Sequence, residues 1–293
     1  NTRYRNPNIV GVSNNTHLPT AVVSSVLLSG TDFGPLNTFI TASYGVNLDT
    51  INNYYNNLSC FVTKPHIEVN CTTAVSKPGI NRTMLRWQIN VEYQKSEMSI
   101  DKKTAYMIPS ITGLSGHTSM NTAGNNTIIL SGTNFGPPNG NIEGYYGPSD
   151  TPTIYHAIFC NVLSHSSATC ISIESKNNVN RTSLRWIVKI EDQTSPISIN
   201  TDTQYAIPEI VSFTNHRSMN TSGGTVVYID GNHFGPSSVL SSINPYNEYV
   251  WYGTQNDDYK AYQISNCEVV ISHTRIRCIT LESKNNVNRT SLR

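Results

Sequence analysis

Charge is scarce in this chain of 293 residues. Lysine and arginine together number 20, aspartate and glutamate 19, and the formal net charge is +1. Such a balance provides no basic surface for nucleic acid or for an anionic membrane. Long apolar runs are missing too, since no stretch approaches the roughly 18 residues of a membrane-spanning helix, and the first residues do not resemble a signal peptide. We therefore expect no nucleic-acid partner and no direct membrane insertion by this segment, with any targeting or anchoring parts outside it.

Motifs of catalysis are also missing. The sequence has no G-x-S-x-G, no P-loop, no H-E-x-x-H and no G-x-G-x-x-G before a helix. Its nearest acidic cluster is Asp257-Asp258, and a calcium loop would need several carboxylates at alternate positions, so a solvated loop is favoured over a metal site. His117 and His216 stand in equivalent His-x-Ser-Met-Asn strings and predict loop histidines, with pH sensing as the alternative. We predict that the chain is not an enzyme and has no metal or cofactor.

One short sequence occurs three times. Ser131–Pro137 (SGTNFGP) has counterparts at Ser29–Pro35 and Asp230–Pro236, and each copy ends an apolar, β-branched run. The pattern is typical of a strand, a tight turn that needs glycine, an aromatic ring returned to the core, and a proline that stops sheet pairing. The copies recur at intervals of about 100 residues, the size of one immunoglobulin-like sandwich.

We predict an all-β fold of three tandem immunoglobulin-like sandwiches arranged end to end. Prolines at predicted strand starts (Pro7, Pro109 and Pro208) mark the boundaries. Residues 1–7 form the tail of a preceding repeat, and the repeats span 8–107, 108–206 and 207–293. Leu184, Trp186, Val188 and Ile190 alternate as in a half-buried strand, and another strand is predicted from Ile199 to Tyr205. No flexible linker separates the repeats, which predicts a stiff rod.

The third repeat is expected to be incomplete. Arg293 corresponds to Arg185, so the strand with the tryptophan and its successor have no counterpart in repeat three. A sandwich without these strands has an open apolar edge. Two explanations stay open: another subunit donates the missing strand, or the remainder of the chain lies outside this sequence.

Six cysteines predict the compartment. They form one pair per repeat, 10 or 11 residues apart, namely Cys60/Cys71, Cys160/Cys170 and Cys267/Cys278. Repeat symmetry favours a disulfide within each repeat, and an oxidising compartment follows. Free buried thiols and a metal site are the alternatives, although the short Cys-x-x-Cys knuckles of zinc sites are missing.

Eight N-x-[ST] sequons agree with an extracellular or cell-surface location and predict N-linked glycans. They are Asn14, Asn57, Asn70, Asn81, Asn125, Asn180, Asn220 and Asn288. Three of them begin the string Asn-Arg-Thr, ten residues after the second cysteine of each repeat. The alternative is a turn in which Asn and Thr bond to their own backbone.

Aromatic residues of repeat three form the best candidate contact surface. The candidates are Tyr246, Tyr249, Trp251, Tyr259 and Tyr262. Exposed aromatic rings supply large contact area at low entropic cost, which suits protein or sugar partners. Alternatively, some of them point into the sandwich.

Several motifs together resemble the IPT/TIG family of immunoglobulin-like domains. They are Pro-x-Ile, Gly223-Gly224-Thr225, Gly-x-x-Phe-Gly, Tyr-Gly and a cysteine pair, in that order. The resemblance covers almost the whole chain, although Val22-Val23 and Gly124-Asn125 replace Gly-Gly in the first two repeats. Within the family, the chain looks most like the tiger-type surface glycoproteins of social amoebae. The resemblance implies cell–cell adhesion with a homotypic or heterotypic protein partner; a fibril of this same chain and a carbohydrate-binding accessory module are the alternatives.

Overall fold

The computed structural model describes residues 4–47, 54–200, 202–240, 250–254, 258–264 and 266–284. The described residues form strands, turns and irregular segments, with no helix among them. They build three separate hydrophobic cores, and the set of strands around each core is called a unit below.

The first unit has seven strands in the order β1-β2-β5-β4-β3-β6-β7, and all of the pairs are antiparallel. Its strands are β1 (Asn8–Ser13), β2 (Ser25–Thr31), β3 (Ile40–Gly45), β4 (Tyr54–Lys64), β5 (Glu68–Thr72), β6 (Arg86–Val91) and β7 (Gln94–Lys95). The first half of β4 pairs with β3 and its second half with β5. The long strand β4 thereby crosses between two layers, β1-β2-β5-β4 and β4-β3-β6-β7, which is the arrangement of an immunoglobulin-like sandwich.

The second unit repeats this order. Its strands are β8 (Ser110–Ser115), β9 (Thr127–Thr133), β10 (Ile142–Gly147), β11 (Tyr155–Ser164), β12 (Ser167–Ile171), β13 (Arg185–Ile190) and β14 (Gln193–Thr194). They are ordered β8-β9-β12-β11-β10-β13-β14, and β11 again belongs to both layers. Phe159 on β11 adopts a left-handed φ of 49° where the pairing register shifts, so a bulge bends the strand at the crossover.

The third unit is described in two pieces. One sheet has the order β15-β16-β21-β20-β17, and a hairpin joins β18 to β19. Its strands are β15 (Glu209–Thr214), β16 (Val226–Asn232), β17 (Ser238–Leu240), β18 (Val250–Thr254), β19 (Asp258–Ile264), β20 (Cys267–Ile271) and β21 (Arg275–Ile279). The predicted all-β, immunoglobulin-like class is therefore confirmed.

Aromatic rings occupy the centres of the first two cores. Tyr146 stacks between Tyr155 and Trp186, with ring centroids 4.9 and 4.6 Å away. Tyr44 packs in the same way on Tyr55 and Trp87. The alternation predicted for the tryptophan strand is also confirmed, since Leu184, Trp186, Val188 and Ile190 are all buried.

The strand predicted from Ile199 to Tyr205 was wrong. Regular pairing with β13 ends after the two-residue strand β14, and Thr203 and Tyr205 make only isolated bridges. Pro196 follows, and a proline has no N–H to donate to a ladder. Serine side chains take over, because the hydroxyls of Ser195 and Ser198 accept hydrogen bonds from the backbone of Val188 and Trp186.

Each unit contains one disulfide, at the strand pair where the cysteine spacing predicts a hairpin. The bonds are Cys60–Cys71, Cys160–Cys170 and Cys267–Cys278, and no free cysteine is present among the described residues. Cys60 lies directly opposite Cys71 on β4 and β5, and Cys267 opposite Cys278 on β20 and β21. The bond thus ties neighbouring strands of one layer, unlike the inter-sheet disulfide of antibody domains.

Candidate functional site: the junctions between units and an open cleft

An arginine closes the junction between the first and second units. Arg82 lies in the loop before β6 and is fully buried, at 0% exposure. Its guanidinium donates hydrogen bonds to the carbonyl oxygens of Asn134 (3.0 Å) and Phe135 (2.9 Å), in the Phe-Gly turn of the second unit. The next residue is Gly136, where a Cβ would overlap the guanidinium. Burial lowers the pKa of Arg82, and Glu191 is the main charge that offsets this effect.

Two acidic residues after β13 hold the same loop from the other side. Asp192 accepts hydrogen bonds from the backbone of Arg82 (2.7 Å) and Thr83 (3.1 Å), and also from the Thr83 hydroxyl. Glu191 accepts a hydrogen bond from the Gly79 amide at 2.9 Å. Carboxylates that accept backbone N–H bonds make charge-assisted contacts, which are stronger than neutral ones.

Two further contacts complete this junction. His165 Nδ1, in the turn between β11 and β12, lies 3.1 Å from the hydroxyl of Thr20. Burial, and then the nearby charge of Arg82, lower the pKa of His165. Gln193 donates a hydrogen bond of 2.7 Å to the carbonyl oxygen of Tyr106.

The second junction uses equivalent residues. The guanidinium of Arg181, the counterpart of Arg82, packs on Gly235 so closely that a Cβ there would overlap it. His273 takes the place of His165, with Nδ1 2.9 Å from the hydroxyl of Thr122. Its Nε2 lies 2.9 Å from Glu174. The two junctions therefore share two contacts. In each, an arginine packs against the glycine of a Phe-Gly turn, and a threonine hydroxyl lies within hydrogen-bond distance of a histidine ring.

The Asn-Arg-Thr strings thus contain a feature that the sequon pattern does not indicate. Their central arginines, Arg82 and Arg181, are junction residues. Asn180 also accepts hydrogen bonds from the backbone and hydroxyl of Thr182, which is the local turn that we left open. The available signal was the arginine itself, which the third string repeats at Arg289.

The predicted glycosylation sites lie on surfaces of different accessibility. Asn14, Asn57, Asn81, Asn125 and Asn220 are exposed, whereas Asn70 and Asn180 are half-buried. Asn70 lies on β5 with a buried side-chain oxygen that has no hydrogen-bond partner. Asn288 lies outside the described residues. Glycosylation stays a prediction.

The third unit contains an open apolar cleft of about 590 Å³. Its lining includes Ile210, Phe213, Met219, Trp251, Tyr252 and Tyr262. Ile210 is 55% exposed, whereas its counterparts Ile9 and Ile111 are 5% and 6% exposed. In the first two units the equivalent space is filled, because Trp87 and Tyr106, or Trp186 and Tyr205, pack there against the stacked tyrosines.

The predicted aromatic contact set is only partly brought together. Trp251 is half-buried at the cleft. Tyr262 is only 2% exposed and stacks on Tyr252 with centroids 4.6 Å apart, so the prediction that it offers open contact area was wrong. Its ring is buried in the third unit, as the alternative interpretation expects for some of these residues. Tyr246 and Tyr249 lie outside the described residues, and Tyr259 falls on β19, where its side chain is not described.

The histidines of the His-x-Ser-Met-Asn strings differ. His117 is buried, its Nε2 lies 3.4 Å from Asn200, and burial lowers its pKa. His216 is exposed and lines the cleft. Asp257 lies outside the described residues, and Asp258 begins β19.

No cluster of three or more His, Cys, Asp or Glu side chains suited to a metal ion occurs in the part of the chain that the structure describes. Within the same described ranges, no helix has the length and apolar character needed to cross a membrane.

Comparisons with known proteins found only remote structural similarities. No protein-family model and no curated protein matches the chain. Among solved structures, 96% of the chain aligns with 31% of the extracellular region of plexin A4, at 12% identity and a TM-score of 0.28. The FN1–FN3 domains of chicken CNTN1 align over 95% of this chain and 89% of their own length, at 10% identity and a TM-score of 0.26. SGBP-B, from a xyloglucan utilization locus of Bacteroides uniformis, aligns over 80% of this chain and 63% of its own length, at 13% identity and a TM-score of 0.25. The chain thus spans less than two thirds of plexin A4 and of SGBP-B, and these scores support no statement about function.

Proposed function

We propose that this chain is a non-enzymatic extracellular glycoprotein segment with an adhesive or structural role. Its domains span residues 8–107, 108–206 and 207–293, and residues 1–7 belong with a preceding repeat. In this proposal the domains form a rigid rod of tandem repeats, and loops on the rod make cell–cell or subunit contacts with a protein partner. Three disulfides support an oxidising compartment, since such bonds persist outside the reducing cytosol.

One observation carries the proposal: successive junctions are closed by the same side-chain contacts. Arg82 and Arg181 cover Gly136 and Gly235, while Thr20 and Thr122 meet His165 and His273. Loose linkers between domains leave their orientations free. A buried, hydrogen-bonded arginine instead fixes the neighbouring domain, and a fixed orientation suits a molecule that holds surfaces apart.

The rod is tested by small-angle X-ray scattering on the whole chain. Replacing both junction arginines (Arg82→Ala with Arg181→Ala) should broaden the distribution of interatomic distances. Arg86→Ala is the matched control, because among the described residues the Arg86 guanidinium donates hydrogen bonds to the carbonyl oxygens of Ser99 and Met98, both in its own unit. Equal flexibility of the junction variant and the control would contradict the rod.

Adhesion is tested separately with beads coated with the chain. We expect the beads to aggregate, and we expect the loss of aggregation when residues 241–249, which contain Tyr246 and Tyr249, are deleted. Intact mass before and after deglycosylation and reduction tests the glycans and the disulfides. Beads that stay dispersed, both alone and with candidate partner cells, would argue against adhesion.

A fibril built by donation of a segment between subunits is the second candidate. The open cleft of the third unit favours it, because an exposed apolar groove at a sheet edge is a site for an incoming strand. Electron microscopy of the purified chain tests it, and a monodisperse monomer would exclude it. The carbohydrate-binding alternative stays a prediction that a glycan array tests.

A further inference from the structure

The sequon at Asn70 lies in the middle of a sheet and not on a loop. Strand β5 pairs with β2 on one side and with β4 on the other, so Asn70 is directly opposite Leu27 and Phe61. Its neighbours along the strand, Val69 and Cys71, are buried in the core. Because side chains alternate between the two faces of a strand, Asn70, Leu27 and Phe61 share the outer face of this layer.

The side chain of Asn70 presents its amide nitrogen to solvent. Asn70 is half-buried, and its side-chain oxygen is fully buried without a hydrogen-bond partner. In the described part of the chain the amide nitrogen makes no hydrogen bond either, but this nitrogen is not buried as the oxygen is. An N-linked glycan is attached to the amide nitrogen of asparagine, so the accessible atom is the one that the modification requires.

The residue opposite Asn70 is an exposed aromatic ring. Phe61 is 58% exposed, and it faces a polar side chain across the strand pair. The other two units have pairs of polar or charged residues at this position, namely Glu268 with Arg277 in the third unit and Asn161 with Thr169 in the second. The charged pair forms an ion pair of 3.0 Å. Opposite residues stabilise a sheet when their side chains suit each other, and a bare Phe61 and Asn70 do not.

We propose that Asn70 carries an N-linked glycan whose first sugar packs on the ring of Phe61. The C–H face of a sugar ring is apolar and suits the electron-rich face of an aromatic ring, and their contact removes apolar surface from water. Opposite residues on paired strands have Cβ atoms about 4.5–5.5 Å apart, so a sugar on Asn70 reaches Phe61 without a change in the backbone. The glycan thus covers the exposed ring and adds a contact that the bare strand pair lacks.

Attachment precedes the pairing of β5. The Asn70 amide nitrogen attacks the anomeric carbon of an oligosaccharide carried on a lipid diphosphate. The new carbon–nitrogen bond replaces the carbon–oxygen bond to the diphosphate, which leaves with the electron pair while the nitrogen releases a proton. In the folded unit, the hydroxyl of Thr72, the third sequon residue, donates a hydrogen bond of 3.2 Å to the carbonyl oxygen of Ser59. The sequon is therefore accessible as a whole only in the unpaired chain. The inference rests on the proposed glycoprotein and deepens it by naming one modified residue and the side chain that holds its sugar.

The whole chain, secreted from eukaryotic cells that attach N-linked glycans, is the material for the test. Peptide mass spectrometry measures the occupancy of Asn70, and we expect a glycan there. After the glycans are trimmed to their first sugar, NMR should show sugar protons that the ring current of Phe61 shifts upfield. These signals should be absent in Asn70→Gln and should lose their shift in Phe61→Ala. Tyr93→Ala is the control, because Tyr93 is 98% exposed between β6 and β7, in the other layer.

A double-mutant cycle separates the contact between sugar and ring from general damage. Hydrogen exchange of the β5 amides gives the opening equilibrium of the glycosylated chain, Phe61→Ala, Asn70→Gln and the double variant. We expect Phe61→Ala to raise the opening constant about threefold to tenfold more with the glycan than without it, as for other aromatic contacts. Equal effects in both backgrounds, a sugar without the ring-current shift, or an unmodified Asn70 beside modified sequons elsewhere would overturn the inference alone. A chain without sugar at any sequon would overturn the proposed glycoprotein as well.

Discussion

Glycine at position 136 is required by a neighbouring unit as well as by its own backbone. Gly136 has φ +89° and also faces the Arg82 guanidinium. Gly79 has a similar φ of +74° but nothing within 4 Å of its missing Cβ. The two positions therefore share the backbone requirement, and a Cβ would overlap Arg82 at Gly136 but meet no atom at Gly79.

Gly136→Ala should thus cost much more than Gly79→Ala. The left-handed backbone alone costs an alanine about 1–2 kcal/mol. At position 136 the methyl group also displaces Arg82, whose hydrogen bonds to two backbone carbonyls contribute about 1.5–3 kcal/mol each. Calorimetric unfolding checks the difference. Equal melting temperatures for the two variants would contradict the role of Arg82.

At the scale of the element, serine hydroxyls complete the strand that backbone pairing leaves unfinished. Ser96 and Ser99 accept hydrogen bonds from Ile89 and Trp87, as Ser195 and Ser198 do from Val188 and Trp186. The serines also donate their own backbone N–H groups to the carbonyls of these same strand residues. Each serine replaces a full strand residue in the ladder.

Ser195→Ala should therefore destabilise the second unit by about 1–3 kcal/mol, because the buried Val188 amide loses its acceptor. Hydrogen exchange of the Val188 amide should become faster at the same time. Ser131→Ala, at an exposed position of β9, is the control and should change neither quantity. Unchanged protection of Val188 would show that the hydroxyl is dispensable.

The disulfides act on single hairpins. A loop of about 11 residues closed by a disulfide contributes about 3 kcal/mol by restricting the unfolded chain. Replacing Cys160 and Cys170 by alanine should lower the free energy of unfolding of the second unit by about that amount, and its melting temperature should fall accordingly. The transition of the first unit, whose disulfide is intact, is the internal control. A uniform shift of all transitions would instead indicate that the units unfold together.

At the scale of the whole molecule, the first junction should weaken in acid. His165 faces the Thr20 hydroxyl and lies near the Arg82 guanidinium. Because burial and Arg82 lower its pKa, the folded state favours the neutral ring. The contribution of neutral His165 to the free energy of unfolding is complete above the pKa of the unfolded chain, about 6.5. It is lost as the pH falls from there toward the lower pKa of the folded state.

The melting temperature between pH 8 and pH 5 checks this expectation. His165→Gln keeps a hydrogen-bonding side chain without titration and should flatten the acid decline. Burial also lowers the pKa of His117, so His117→Gln is measured beside it to assign the remaining slope. An identical decline in wild type and His165→Gln would exclude the junction as its source.

The sequence by itself determined what depends on neighbours in the chain. Alternating apolar residues such as Trp186 and Val188 specify a strand with one buried face, and the cysteine spacing of 10 or 11 residues fits one hairpin. These signals are local, so the all-β class and the cysteine pairing could be predicted.

Tertiary structure decided what depends on residues far apart in the chain. The hydrogen bond between Arg82 and Phe135 spans 53 residues of the sequence, and the contact between His273 and Thr122 spans 151. Neither contact therefore has a local sequence pattern. Ser195 completes the ladder beside Pro196, where a full strand was expected, and Tyr262 is buried in a stack with Tyr252. A composition-based view of exposed tyrosines or of sequons could not distinguish these cases, since burial is a property of the packed units and not of the residue type.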